Sequence, residues 1–358
     1  MGDMRTVRLG KSGLEVSKIG FGGIPIQRRS EPEALKVIRR ALELGCTWID
    51  TANGYSVSEE RIGKAIRGLP RERVLLFTKG SGRTPEDLER QLLLSLERLQ
   101  VDALDLYQFH FVPDPQTWKG MRENGTLALL QDYRRRGIVR HIGASAHSPV
   151  AAKALLESPE IEVLQYPFNF LMEEAGLEVL EACRGKEVGF IAMKPFGGGE
   201  LDRASPAIRF LFQFPEVAAD PGFEKVGEVE EVIRLAEEAA PLSAADRREM
   251  KRLRREVGLR FCRRCGYCSP CPQGVAIISL MTVESFIKRM PRQQVLGGEI
   301  ARAVETLGAC IECGICETKC PYRLPIRERI RAGAQAFQRL RRGSRGPAAA
   351  AKPPAAPG

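Results

Sequence analysis

No stretch of the chain is both long and apolar enough to span a bilayer, for which about 20 consecutive apolar residues are needed, so no membrane span is expected. The opening residues, MGDMRTVRLGKSG, lack the apolar segment and small-residue cleavage site of a secretory leader, which points to a cytoplasmic location. Aromatic residues are scarce at 6%, yet hydrophobic residues make up 43% of the 358 positions, enough for the core of an ordinary soluble protein. Absent as well is a GxGxxG phosphate loop after an early strand, which argues against an open doubly wound sheet.

What is present is an alternation. Short β-rich runs recur at CTWID (46–50), RVLLFT (73–78), ALDLYQF (103–109), GIVRHIGAS (137–145), IEVLQY (161–166), EVGFIAM (187–193) and EVAAD (216–220), and a first run, VSKIGFG (16–22), completes eight. Between them lie segments such as PEALKVIRRALELG and PEDLERQLLLSLERLQ, whose apolar residues return every three or four positions, with Gly45 and Gly137 where helices should stop. Eight such units predict a closed (β/α)8 TIM barrel of α/β class, followed by a small α-helical domain. The expected organisation is a barrel over residues 1–240, a basic linker helix over 241–260 capped by Ser243, a cysteine-rich domain over 261–342 with two short helices between 272 and 309, and a disordered Gly/Pro/Ala tail over 343–358.

Chemistry in a parallel barrel gathers at the C-terminal ends of its strands. Asp50 ends the second run, Tyr55 follows in the adjoining loop, Lys79 ends the third and His110 the fourth. Taken singly, each has an ordinary structural explanation; at successive strand ends they suit carbonyl reduction. A tyrosine can protonate the oxygen that becomes negative when hydride reaches the carbonyl carbon, but its ordinary pKa of about 10 is too high for easy donation. A neighbouring Lys79 ammonium stabilises the phenolate, Asp50 holds that ammonium charged, and His110 orients the substrate oxygen.

Eight of ten cysteines fall in two runs. Cys310, Cys313, Cys316 and Cys320 form the bacterial ferredoxin pattern C-x2-C-x2-C-x3-C-P, a signal for a [4Fe-4S] cluster; Cys262, Cys265, Cys268 and Cys271 repeat it with a shorter last step. Because the fourth cysteine of each run ligates the other cluster in two-cluster ferredoxins, crossed ligation is expected: Cys262, Cys265, Cys268 and Cys320 on one, and Cys310, Cys313, Cys316 and Cys271 on the other. Zinc is the structural alternative, since C-x2-C pairs also build zinc ribbons. Cys46 and Cys183 read as small buried hydrophobes. The charge supports a cluster domain: residues 241–358 hold 23 Lys and Arg against 9 Asp and Glu, while the first 240 hold 32 against 36. Offsetting anionic clusters is the simpler explanation of this excess; docking of an acidic electron-transfer protein is compatible with it, and nucleic acid is the weaker choice.

At WIDTANGYSVSEERIGKAIRG, FTKG, LDLYQFH, VRHIGAS and LQYPFN the sequence resembles the aldo/keto reductases, over roughly residues 5–240. The resemblance implies the Asp50, Tyr55, Lys79, His110 tetrad and hydride exchange with NADH or NADPH lying across the barrel mouth. It implies that Ser145 and Gln165 hold the nicotinamide carboxamide and that Gly197, Gly198 and Gly199 approach the pyrophosphate. The segment after Gly222 would meet the adenosine, with Glu224 and Lys225 near the 2′ position. The chain departs from the family pattern at Ala146, at Met193-Lys194-Pro195 and at Glu224. The expected function is an oxidoreductase acting on a small carbonyl or alcohol, with two [4Fe-4S] clusters relaying electrons to or from a partner. The alternatives are the same enzyme with purely structural clusters, and a nonenzymatic binding protein that keeps the barrel.

Overall fold

The computed structural model describes residues 4–343, so nearly all of the tail expected from residue 343 lies outside the described residues. It divides into two compact units, residues 1–258 with 263–265, and residues 259–262 with those from 266 onward. Among the described residues no helix is long and apolar enough to cross a membrane.

The first unit begins with an antiparallel hairpin, β1 (Thr6–Arg8) and β2 (Glu15–Ser17), followed by eight parallel strands: β3 (Phe21–Gly22), β4 (Trp48–Asp50), β5 (Leu75–Gly80), β6 (Leu104–Val112), β7 (Val139–Ala146), β8 (Val163–Pro167), β9 (Gly189–Met193) and β10 (Val217–Ala219). Each pairs with its sequence neighbour, and parallel bridges Ile19 to Ala219 and Gly22 to Gly222 join the first barrel strand to the last. The expected barrel is present. Its first strand is shorter than VSKIGFG, because residues 15–17 turn back through Gly10 and Gly13, both with positive φ, to pair with Thr6–Arg8. At the closure Gly22 is needed for space: a Cβ there would meet the backbone oxygen of Asp220 at 2.5 Å.

The helices form where the periodicity put them. In Glu31–Glu43 the buried residues Ala34, Val37, Ile38 and Ala41 follow helical spacing, Glu33 accepts the Ser30 backbone N–H at 3.0 Å, and the chain leaves through Gly45 at φ 94. The predicted linker helix, Ala244–Glu256, begins as expected at Ser243, whose Oγ accepts the Asp246 N–H at 3.0 Å. It packs within the first unit, where Asp246 binds Ser205 at 2.7 Å and Arg209 at 3.0 Å.

Inside the barrel, side chains alternate with the strand period of two. Trp48, Phe77, Leu106, Val163, Ile191 and Ala218 form an apolar layer closed from below by Val7, Leu9 and Val16 of the hairpin region. Two residues further along, the same strands present Asp50, Lys79, Gln108, Gln165, Met193 and, at the end of the eighth, Asp220. The polar layer therefore sits on an apolar floor.

In the second unit the expected pair of helices is four short ones, Ile277–Met281, Val283–Arg289, Arg292–Gly297 and Glu299–Glu305, interrupted at Thr282, Pro291 and Gly298. They and the helix Ile326–Arg341 enclose a small core around Ile277, Leu280, Ile326 and Ile330.

Candidate active site and cysteine domain

The ends of β4, β5 and β6 bring three of the four predicted residues together, and the loop after β4 supplies the fourth. The Lys79 ammonium, almost fully buried, donates to Asp50 Oδ2 at 2.5 Å and to the Thr51 carbonyl at 2.7 Å. It lies 5.6 Å from the ring centre of Tyr55, which also meets the His110 ring edge-on at 5.7 Å. Desolvation alone would lower the Lys79 pKa, but Asp50, Tyr55 and Asp220 outweigh it and raise the value above the ordinary lysine range, so the amine stays charged. Burial, reinforced by the cations of Lys79, Arg83 and Lys194, pushes the His110 imidazole down to about 3. A neutral ring beside a permanent ammonium is the result.

Ser145, on β7, accepts the Phe111 backbone N–H at 2.8 Å, which leaves its own hydroxyl proton available to the mouth. On β8, Gln165 donates through Nε2 to Asp220 Oδ2 at 2.6 Å and to Asp50 Oδ2 at 3.2 Å, while its Oε1 is buried with no donor in reach. One free hydroxyl donor and one orphaned amide acceptor on adjacent strands match the two ends of a carboxamide, so the residues present fit a nicotinamide. Gly197, Gly198 and Gly199 all have positive φ, between 59° and 93°, in the loop after β9. Gly222 packs against Pro25, which a Cβ would meet at 2.6 Å. Glu224 pairs with Arg28 at 3.4 Å, and Lys225 precedes the helix Val226–Glu238, its N–H bound by Glu228 at 3.2 Å.

Several residues of the mouth escaped the sequence reading. Gln108 donates to Asp50 Oδ1 at 3.2 Å, and Arg83 donates to the carbonyls of His110 at 3.0 Å and Phe111 at 2.6 Å. Asp220 contacts the tetrad through Gln165, and its carboxyl is raised well above the usual carboxylate range by desolvation first and the Asp50 charge second. Positive φ at Ser56, Phe111 and Lys194, each beside a residue of the mouth, adds backbone strain to the same rim. Counting two positions along each strand from its inward apolar residue would have found Gln108 and Asp220.

The two cysteine loops share one backbone pattern. Arg264 and Gly266 have positive φ in the first, and Glu312 and Gly314 do so at the matching positions of the second. Past the last cysteine, Gly274 and Arg323 match again, despite the unequal final step. Cys262, Cys268, Cys271, Cys310, Cys316 and Cys320 pack against the unit's apolar core. One pocket is lined by Cys310, Cys313 and Cys316 together with Cys271 and Cys268. Cys265 lies in the short segment that groups with the first unit. Among the described residues no three His, Cys, Asp or Glu side chains converge tightly enough to grip a single metal ion, as zinc with Zn–S bonds of about 2.3 Å requires. Cys46 and Cys183 are buried, as expected, and burial pushes each thiol up to about 12.

A closed eight-stranded parallel barrel whose strand ends gather Asp, Lys and His around a loop Tyr defines the class of (β/α)8-barrel oxidoreductases. Residues 18–210 match the model of the aldo/keto reductase family, and the chain belongs to that family. Residues 261–325 match the 4Fe-4S dicluster domain. The barrel is 30% identical over 220 residues to "Probable aldo-keto reductase 1" of Glycine max, covering 55% of this chain and 60% of that protein. It is 27% identical over 227 residues to "NADH-specific methylglyoxal reductase" of Escherichia coli, covering 55% and 69%. The chain thus spans about three fifths of the length of the first of these relatives. The fold also resembles an aldo-keto reductase from Klebsiella pneumoniae solved in complex with NADPH, with a TM-score of 0.59 at 23% identity over 70% of this chain and 95% of that one.

Proposed function

We propose that the protein is a nicotinamide-dependent oxidoreductase that interconverts a small carbonyl compound and its alcohol, with Asp50, Tyr55, Lys79 and His110 as the catalytic group. The observation that carries this reading is the gathering of the Tyr55 ring with the buried Lys79 ammonium, 5.6 Å from its centre, and the neutral His110 ring, 5.7 Å from it. A reduced nicotinamide, when bound, would supply the hydride for the carbonyl carbon. Tyr55 gives its hydroxyl proton to the oxygen, Lys79 stabilises the phenolate left behind, and Asp50 holds Lys79 in place. His110, neutral, orients the oxygen by a hydrogen bond. Ser145 and Gln165 hold the carboxamide, the Gly197-Gly198-Gly199 loop approaches the pyrophosphate, and Gly222, Glu224 and Lys225 meet the adenosine half.

The two cysteine runs are assigned two [4Fe-4S] clusters, ligated by Cys262, Cys265, Cys268 and Cys320 and by Cys310, Cys313, Cys316 and Cys271. A pocket lined by Cys271 with Cys310, Cys313 and Cys316, and bordered as well by Cys268 of the other set, supports placing Cys271 beside the second run. The clusters exchange single electrons with a partner, an acidic carrier protein in a cytoplasmic setting. A structural role is the second reading, favoured by six thiols packed on the unit's core. Anaerobic turnover of NADH and NADPH against a panel of aldehydes, ketones and alcohols tests the enzyme: oxidation of either nucleotide that is lost in Tyr55→Phe supports it, and no turnover with any of them overturns it. Cluster reduction by substrate separates a relay from a staple.

A further inference from the structure

The tetrad leaves one carboxyl unexplained. Asp220 ends the eighth strand of the barrel, and it is partly exposed as a residue while its Oδ1 is buried without a donor. Its Oδ2 accepts the Gln165 amide at 2.6 Å, and the same amide nitrogen reaches Asp50 Oδ2 at 3.2 Å. The Asp50 carboxylate lies in turn on Lys79, so two carboxyls and one amide crowd a single ammonium. Two adjacent carboxylates in a desolvated site cannot both stay ionised cheaply.

The amide orientation follows from the same contacts. An NH2 group between two carboxyl oxygens has only one favourable placement, because the reversed amide would set its oxygen against both of them. With its NH2 held between Asp220 and Asp50, Gln165 is left with Oε1 buried and unpartnered.

We propose that Asp220 is a positioning residue for the reduction: as a neutral acid bonded to Asp50 and to the Gln165 amide, it locks the Gln165 carbonyl toward the nicotinamide and leaves Lys79 facing one negative charge. The assignment rests on the functional reading given above. It agrees with the strongly raised Asp220 carboxyl, whose causes are burial and then the Asp50 charge, opposed by Lys79. Lys79 itself stays charged under the combined pull of Asp50, Tyr55 and Asp220. A protonated Asp220 can donate to Asp50 and still accept from Gln165, which a carboxylate cannot do.

Asparagine reproduces this pattern, since its NH2 donates to Asp50 and its oxygen accepts from Gln165; leucine removes both bonds. Fluorescence titration with NADH and with NADPH reads the outcome without any carbonyl substrate. Asp220→Leu should weaken nucleotide binding about tenfold, the cost of leaving the buried amide with one partner fewer, and Asp220→Asn should recover most of that loss. An independent measurement needs no destabilised variant: the infrared spectrum of the wild type near neutral pH should contain a protonated carboxylic-acid band that disappears in Asp220→Asn. Absence of that band, or an Asn variant as impaired as the Leu variant, overturns the neutral-acid assignment. Wild-type binding that Asp220→Leu leaves unchanged overturns the positioning role while the enzyme reading stands. A wild type that binds neither nucleotide removes both.

Discussion

Lys79 and Tyr55 lie on opposite sides of a boundary between full burial and the open mouth, with the ammonium 5.6 Å from the phenol ring centre. An ammonium so placed favours the phenolate without occupying the space a substrate needs. Replacing Tyr55 by Phe keeps the ring and removes the proton. Carbonyl reduction is expected to fall by about 10²–10⁴-fold while nucleotide affinity changes little, measured by steady-state kinetics and fluorescence titration. Equal loss of both would refute a proton-donor role.

Lys79 also balances Asp50 in a buried pair. The single substitution Lys79→Met leaves an uncompensated carboxylate and should cost about 3–5 kcal/mol of stability; adding Asp50→Leu should return part of it. Thermal unfolding of the two single variants and the double variant decides this. A double variant no more stable than Lys79→Met would show that the pair does not act as a unit.

The neutral His110 carries a pH consequence. With its pKa pushed down to about 3 by burial and three cations, it stays uncharged at every pH where the fold is handled, so the rate profile between about pH 5 and 8 should lack the histidine inflection otherwise found near 6.5. Imidazole resonances followed by NMR through that range should not move for His110. A shift centred near pH 6 would contradict the enclosed site.

A second titration concerns stability. Lys18 is buried beneath the barrel, donates to the carbonyls of Phe214 and Pro215, and is lowered to about 7 by desolvation. The unfolded chain keeps its proton up to about 10.5, so it binds more protons than the fold between pH 7 and 10.5, and the Lys18 contribution must rise with pH across that window. Below pH 7 both states are protonated and the contribution is flat. Lys18→Met should remove the rise, a difference of a few kcal/mol between the two denaturation series at about pH 7 and 10. Parallel pH curves for the two proteins would disprove it.

Crossed cluster ligation is separable by spectroscopy. If Cys271 belongs with Cys310, Cys313 and Cys316, then Cys271→Ser should disturb the same paramagnetic signal as Cys313→Ser and leave the one disturbed by Cys265→Ser intact. Pairing of Cys271→Ser with Cys265→Ser would establish uncrossed runs.

Much of this was readable from residues alone, because the barrel rests on local periodicity. Eight β-rich runs and their helices appear where alternation and capping residues put them; Asp50 ends its strand as the run suggested, while Lys79 and His110 lie one and two residues inside the ends of theirs. The first run was misjudged in extent, since nothing local distinguishes Val16, which pairs in a hairpin, from Phe21, which pairs in the barrel. Asp220 looked like the end of one more strand. Its partners, Asp50 and Gln165, are 170 and 55 positions away in the chain, and only closure of the barrel brings them together. In the cysteine domain the ligand spacing was plain, and Pro291 and Gly297-Gly298 are local stops, but the break at Thr282 depends on packing.

The hairpin Thr6–Arg8 and Glu15–Ser17, with Leu9 and Val16 wholly enclosed, acts as a stopper under the reaction chamber. The barrel interior is thereby covered at the end opposite its polar layer. Trimming the chain through Arg8 would open a drain below Trp48 and Phe77, and the polar tier above would become wet from underneath while every residue of its own stayed in place.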